Sequence, residues 1–172
     1  MGRDKAWLPY RGAVLAQAIA QEVRTAAGCA ALVGSPASGV PGGFGLVPDL
    51  YPGEGPLGGI LTALHNTSAC WNLIVACDMP NVTAAFLGQL LDAAEAWDVD
   101  ALLPAGPSRQ LEPLCAVYHR RARQSLDAAF TGGQRKVVAA LEGLPVAVFL
   151  VAEPAPLQNV NTPADWAAYG RG

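Results

Sequence analysis

Two aspartates end apolar runs: Asp49 closes "FGLVPD" (44–49), and Asp78 closes "LIVACD" (73–78) just before Met79-Pro80. A carboxylate at the mouth of a buried strand sits on a rigid element yet faces the crevice beyond the sheet, as a hard divalent cation requires. The plainer alternative is that each acid starts a turn ahead of a glycine or proline. Between them, "GEGPLGG" (53–59) packs four glycines around Pro56 and Leu57. Gly55, Gly58 and Gly59 permit close backbone approach to a ligand, and a helix N-terminus behind them offers amides to an anion or a base edge. The stretch is not a Walker A loop, because no Lys-Ser/Thr follows, and it does not match GxGxxG. Taken alone, an ordinary turn explains it better than a ligand site does.

"QNVNTP" (158–163) has one residue between Asn159 and Asn161, so extended backbone aims both amides the same way. They suit a ribose, a metal-bound water or a polar substrate edge, or else a turn held by their own side chains. Arg135 and Lys136 follow Gly132-Gly133 where a helix should begin. Cations there oppose the helix dipole unless something anionic compensates, which makes Gly132, Gly133 and Arg135 candidate phosphate contacts. At the start, Asp4 and Lys5 lie beside a glycine, with Pro9 close behind and an amphipathic helix next. That is the tail of a phosphate-binding loop without the strand and glycine turn that normally precede it. His65 and His119 have no partner suggesting a triad or a zinc site, and "HRRAR" (119–123) reads as a solvated helix face.

Strands and helices alternate around these residues. Val14, Leu15, Ala18, Ile19, Val23 and Ala26 recur at helical spacing, giving a helix over 13–27 stopped by Gly28. Short strands are expected at 29–34 and 44–49, separated by a Gly, Pro and Ser-rich loop. A turn-rich loop then leads to a helix over 60–66, and the clearest strand follows at 71–78. Thr83 can cap a helix that carries Phe86, Leu87, Leu90, Leu91, Ala94 and Trp97 on one face. Further strands are expected at 100–104, 114–119 and 146–151, with helices over 120–130 and 135–141. Thr162, Pro163 and Asp165 open a final short helix. Strands apolar on both faces, alternating with helices, predict a three-layer α/β/α fold with a mostly parallel sheet in one domain over 1–172.

The composition agrees. Of 172 residues, 52% are apolar and 15% charged, which excludes a disordered polyampholyte; mean hydropathy is +0.27. A net charge of −3 gives no long-range attraction to nucleic acid or an anionic membrane, so any phosphate must be held locally. Cys29, Cys70, Cys77 and Cys115 form no CxxC pair and read as free thiols, mostly buried. The polar start has no signal-peptide pattern and no apolar run reaches membrane length, so the expectation is a soluble cytoplasmic protein.

In order along the chain, "MGRDKAWLPYRG", "VPDLYPGEGPLGGILTAL", "IVACDMP", "EPLCAVYH" and "NVNTPADW" resemble the motifs of the molybdenum cofactor guanylyltransferases. The first stretch is similar to the second half of that family's LAGGxSxRMGxDKxLLxxxG signature. The resemblance implies a Rossmann-like nucleotide-diphospho-sugar-transferase fold, and transfer of GMP from GTP to the phosphate of molybdopterin with Mg²⁺. It implies that Lys5 grips nucleotide phosphate and that Asp78 holds Mg²⁺. It further implies that Asp49 and Gly55, Pro56, Leu57 and Gly58 seat the guanosine, while Arg135, Asn159 and Asn161 lie on the molybdopterin side. Molybdenum cofactor assembly proteins and target molybdoenzymes are the implied partners. A molybdopterin cytidylyltransferase, a sugar-phosphate nucleotidyltransferase and a shortened non-catalytic remnant are the alternatives. The LAGGxSxR half is not in this sequence, and with it go the first strand, which in such folds is central to the sheet, and the loop whose amides wrap the triphosphate. A start codon placed too late is the simplest account. A purified chain that begins at Met1 should therefore bind GTP weakly or not at all and have reduced stability; normal guanylyl transfer by that chain would overturn this expectation.

Overall fold

A computed structural model describes residues 9–10, 12–34 and 41–160. Lys5, Asn161 and the helix expected after Thr162 lie outside the described residues. β1 (Pro9–Tyr10) and β2 (Ala13–Val14) pair antiparallel and lead directly into α1 (Leu15–Ala27). The hairpin takes the first two residues of the expected helix. Leu15, Ala16, Ile19 and Ala20 are the buried face of α1, and Gly28 ends it in the left-handed region (φ 81°), its N–H bonding Arg24 O at 2.9 Å.

β3 (Ala31–Val33) and β4 (Gly45–Val47) form a parallel pair of their own. α2 (Pro56–His65) follows, then β5 (Trp71–Val75), α3 (Ala84–Trp97), β6 (Ala101–Ala105) and β7 (Cys115–His119). α4 (Arg123–Thr131), α5 (Val137–Ala140) and β8 (Val146–Leu150) complete the described elements. The main sheet runs β5-β7-β6-β8. Parallel pairing, expected for most of the sheet, holds for β3–β4 and β6–β8, while β7 is antiparallel to both β5 and β6.

Alternate residues of β6 and β7 enter different cores. Leu102, Cys115 and Val117 meet α1 and α3 through Leu15, Ile19, Leu87 and Leu90. Leu103, Ala116 and Tyr118 meet α2 and α4 through Leu57, Ile60, Leu61, Leu64 and Leu126. These are the three layers the apolar strands require. α3 is capped twice: Thr83 Oγ1 accepts from Phe86 N, and Glu22 of α1 accepts from Ala84 N at 2.6 Å. Arg121, expected on a solvated face, instead ties α4's approach to Asp98 and Asp100. Cys115 is buried, and burial pushes its thiol up to about 12; Cys29 and Cys70 are exposed rather than buried. No helix among the described residues is long and apolar enough to cross a membrane.

α2 begins at Pro56, four residues before the expected helix at 60. Proline suits the first helical position because its missing N–H would have no intrahelical partner there. Two glycines therefore lie inside the helix, in different surroundings. A Cβ on Gly58 would come within 2.9 Å of Tyr51 Cβ and 3.3 Å of Tyr51 O, whereas one on Gly59 would meet nothing within 4 Å. Gly58→Ala should destabilise the chain by about 1–3 kcal/mol through overpacking. Gly59→Ala should leave stability unchanged or raise it by up to about 1 kcal/mol. Urea midpoints of the two variants check both expectations; equal losses would contradict this account of the loop.

Candidate functional site

The antiparallel register of β5 and β7 assembles the site. Val75 is paired with Cys115, and Ala76 N donates to Leu114 O at 2.7 Å. The start of β7 therefore lies beside the carboxyl end of β5, and Glu112, three residues ahead of Cys115, lies next to Asp78. Glu112 is held there by its own backbone N–H, which donates to Pro104 O at 3.0 Å at the end of β6. On the other side, Val160 N donates to Asp78 O at 2.8 Å and brings Asn159 into the same corner. The turn after Asp78 is fixed by buried Met79 and by Tyr10, whose hydroxyl donates to Pro80 O at 2.9 Å.

The electrostatics show how close these groups are. Partial burial raises the Glu112 carboxyl above its ordinary range, the Asp78 charge raises it further, and a hydrogen bond from the Asn159 side chain pulls it back. Two carboxylates that repel each other are poised for a cation or a shared proton. Among the described residues no hydrogen bond reaches the Asp78 carboxylate, while its backbone carbonyl accepts from Val160 N.

Asp49 is differently placed. Its Oδ1 accepts from Tyr51 N at 2.9 Å and from the Thr62 hydroxyl at 3.0 Å, while Leu50 N donates to Thr62 Oγ1 at 3.1 Å. Thr62 is fully buried on α2, so Asp49 fastens the 50–55 loop to that helix. This is the turn-forming alternative, and it leaves one carboxylate oxygen for a ligand. Gly55 turns into α2 with φ 81°, and Pro56 is exposed at the first helical position. Leu57 is fully buried, so its side chain belongs to the core and cannot touch a nucleotide. Gly58 is likewise packed, against Tyr51. Gly58 N and Gly59 N both donate to Gly55 O, so these two amides of the first helical turn are already taken.

Arg135 does not serve as a free phosphate contact. Its Nε donates to Glu54 at 2.6 Å, its Nη1 donates to Phe130 O and Gln134 O, and its guanidinium lies 4.0 Å from the Phe130 ring centroid. Phe130 packs in turn on Tyr51, with centroids 4.7 Å apart. The anion expected to compensate a cation ahead of α5 is thus Glu54, from within the protein. Asp78, Glu112 and Asn159 form one group; Asp49, the 51–59 loop and Arg135 form another, and no described side-chain contact joins the two.

Glu112 is the residue that sequence reasoning missed. Its signal was an acid before proline at the entry to a strand, and it becomes meaningful only once β7 is known to run against β5.

The model of the MobA-like NTP transferase domain family matches residues 1–146. A probable molybdenum cofactor guanylyltransferase of Clostridium perfringens is 29% identical over 136 residues, 79% of this chain and 67% of that protein. One from Methanothermobacter thermautotrophicus is 38% identical over 101 residues, 58% of this chain and 51% of that protein. The chain thus spans between about half and two thirds of the length of these relatives. The crystal structure of molybdopterin-guanine dinucleotide biosynthesis protein A from Archaeoglobus fulgidus superposes with TM-score 0.82 at 26% identity, over 98% of this chain and 89% of that one. Mixed α/β architecture, strand-end acids and a family match over most of the chain agree, and the chain belongs to the MobA-like NTP transferase family.

Proposed function

We propose that this chain transfers GMP from GTP to the phosphate of molybdopterin, releasing pyrophosphate and forming molybdopterin guanine dinucleotide. The observation that carries this reading is the convergence of Asp78, Glu112 and Asn159 at the carboxyl end of β5, on a chain of this family. The cytoplasm, where GTP is available, is the compartment that goes with it.

Mg²⁺ fits the residues present. It is bound through one or two carboxylates together with substrate phosphates, rather than by an all-protein cage. Asp78 and Glu112 supply two hard oxygen donors whose charges repel each other. Among the described residues no group of three or more His, Cys, Asp or Glu side chains gathers into a cage. Asp78 and Glu112 would hold the ion, and Asn159 would fix the Glu112 carboxylate. When bound, the ion supplies neutralisation of triphosphate charge.

The remaining work is positioning, because phosphoryl chemistry asks little covalent help from protein. The Asp49–Thr62 contact holds the 50–55 loop at the start of α2. Lys5 on nucleotide phosphate and Asn161 beside molybdopterin complete the assignment. Arg135 would reach the molybdopterin side by exchanging its Glu54 partner for the substrate.

With Mg²⁺ and molybdopterin, α-labelled GTP should donate label faster than α-labelled CTP, and Asp78→Asn should lower the rate about a hundredfold or more. CTP as the better donor would overturn the guanine assignment, and an unchanged rate in Asp78→Asn would overturn the site.

Stability gives a second check. A raised Glu112 carboxyl means that the folded chain holds that proton more tightly than the unfolded chain does. The penalty is absent at pH below the ordinary carboxyl value, grows as pH rises through the raised folded value, and is complete at neutral pH. Glu112→Gln should therefore raise Tm at pH 7 by about 1–2 °C, with the gain vanishing near pH 4 and shrinking when Mg²⁺ is added. A gain independent of pH would contradict a Glu112 carboxyl raised by burial and by the Asp78 charge.

A further inference from the structure

The stretch "EPLCAVYH" (112–119) supplies Glu112 to the site, but its tyrosine has no part in the site as described so far. Tyr118 lies on β7, fully buried in the core that β7 shares with α2 and α4. The fully buried Leu57, Ile60, Leu61, Leu64 and Leu126 of that core are aliphatic. A phenylalanine would fill nearly the same volume, so the hydroxyl needs a reason of its own. Left unbonded in such surroundings it would cost stability.

The hydroxyl donates to Pro113 O at 2.8 Å. Five residues of fully extended chain would span about 16–18 Å, beyond the reach of a tyrosine side chain, so the segment ahead of β7 has to fold back. It does so in a turn over 112–115, closed by Cys115 N donating to Glu112 O at 3.2 Å. Proline stands second in that turn, where its fixed φ suits it. Two more backbone groups tie the turn to its neighbours: Glu112 N donates to Pro104 O of β6 at 3.0 Å, and Leu114 O accepts from Ala76 N at 2.7 Å. Pro113 has no N–H, so its carbonyl is the one backbone group by which it can be held. Of these bonds only the one from Tyr118 comes from a side chain. Burial raises the phenol above its ordinary range, so it stays a neutral donor at physiological pH.

We propose that Tyr118 is a positioning residue for the cation site: its hydroxyl, acting through Pro113, sets the direction in which the Glu112 carboxylate meets Asp78. This rests on the reading that Asp78 and Glu112 hold a divalent cation. The other acid has a matching support, since Tyr10 donates to Pro80 O at 2.9 Å. Each acid is thus followed within two residues by a proline whose carbonyl a buried tyrosine holds. Tyr10 belongs to the core with α1 and α3 and Tyr118 to the core with α2 and α4, so the two carboxylates are braced from opposite faces of the sheet. Groups that orient a ligand without touching the metal govern metal affinity by about tenfold to a hundredfold.

The test uses Mn²⁺ alone, a paramagnetic hard cation, titrated into the purified chain. Binding is read from broadening of the side-chain amide signal of Asn159, which bonds Glu112. Tyr118→Phe should raise the half-saturating Mn²⁺ concentration about tenfold while the chain stays folded, because the ring still fills the core. In a chain that already carries Glu112→Gln, the same substitution should shift it less than about twofold, because the carboxylate it positions is gone. A full shift in that background would make Tyr118 a general support of the fold and overturn the proposal. So would an unchanged half-saturation in Tyr118→Phe alone. The single variants Glu112→Gln and Asp78→Asn separate the two readings. If neither weakens Mn²⁺ binding, the cation site is wrong and the proposal falls with it. If both weaken it and Tyr118→Phe does not, the site stands and only the role of Tyr118 is refuted.

Discussion

The pairing of β5 with β7 is the constraint on which the rest of the structure depends. Its antiparallel sense brings the entry of β7 beside the exit of β5, so that a glutamate from one connection meets an aspartate from another. The same register decides which backbone groups of β5 are bonded to β7. A slip of one residue would exchange the faces of β5, moving Leu73 and Val75 from one core to the other.

The two acids at strand ends show how one sequence pattern serves two ends. Asp49 spends an oxygen on Tyr51 N and the Thr62 hydroxyl, which stiffens the turn into α2. Asp78 stands beside Glu112, whose burial, together with the Asp78 charge, raises its carboxyl and costs folding energy at neutral pH. A repulsion kept at the mouth of a sheet, where an apolar or neutral pair would be more stable, is what a site for a positively charged ligand looks like. Arg135 is the converse case: its charge, suggestive in sequence, is neutralised by Glu54 and stacked on Phe130, where it pins the segment after α4 to the loop before α2.

Much of the fold was legible. Helical spacing and Gly28 place α1 to within two residues, and Thr83 caps α3 as its sequence indicates. The start of α2 was not legible, because glycine and proline in "GPLGG" read as loop until Tyr51 is seen to press on Gly58. Of the site, Asp78 and Asn159 could be chosen from type and position. Without their neighbours, however, Leu57 could not be recognised as core, nor Arg135 as already paired with Glu54.

The sequence by itself determined the layered α/β class, the helix ends set by local capping, and the candidate acids, because these follow from periodicity and from residues near one another in the chain. Only the tertiary structure decided that Glu112 joins Asp78 and that β7 runs against both β5 and β6, because both are consequences of strand order and direction. Those are set by contacts among residues tens of positions apart, which no local pattern encodes.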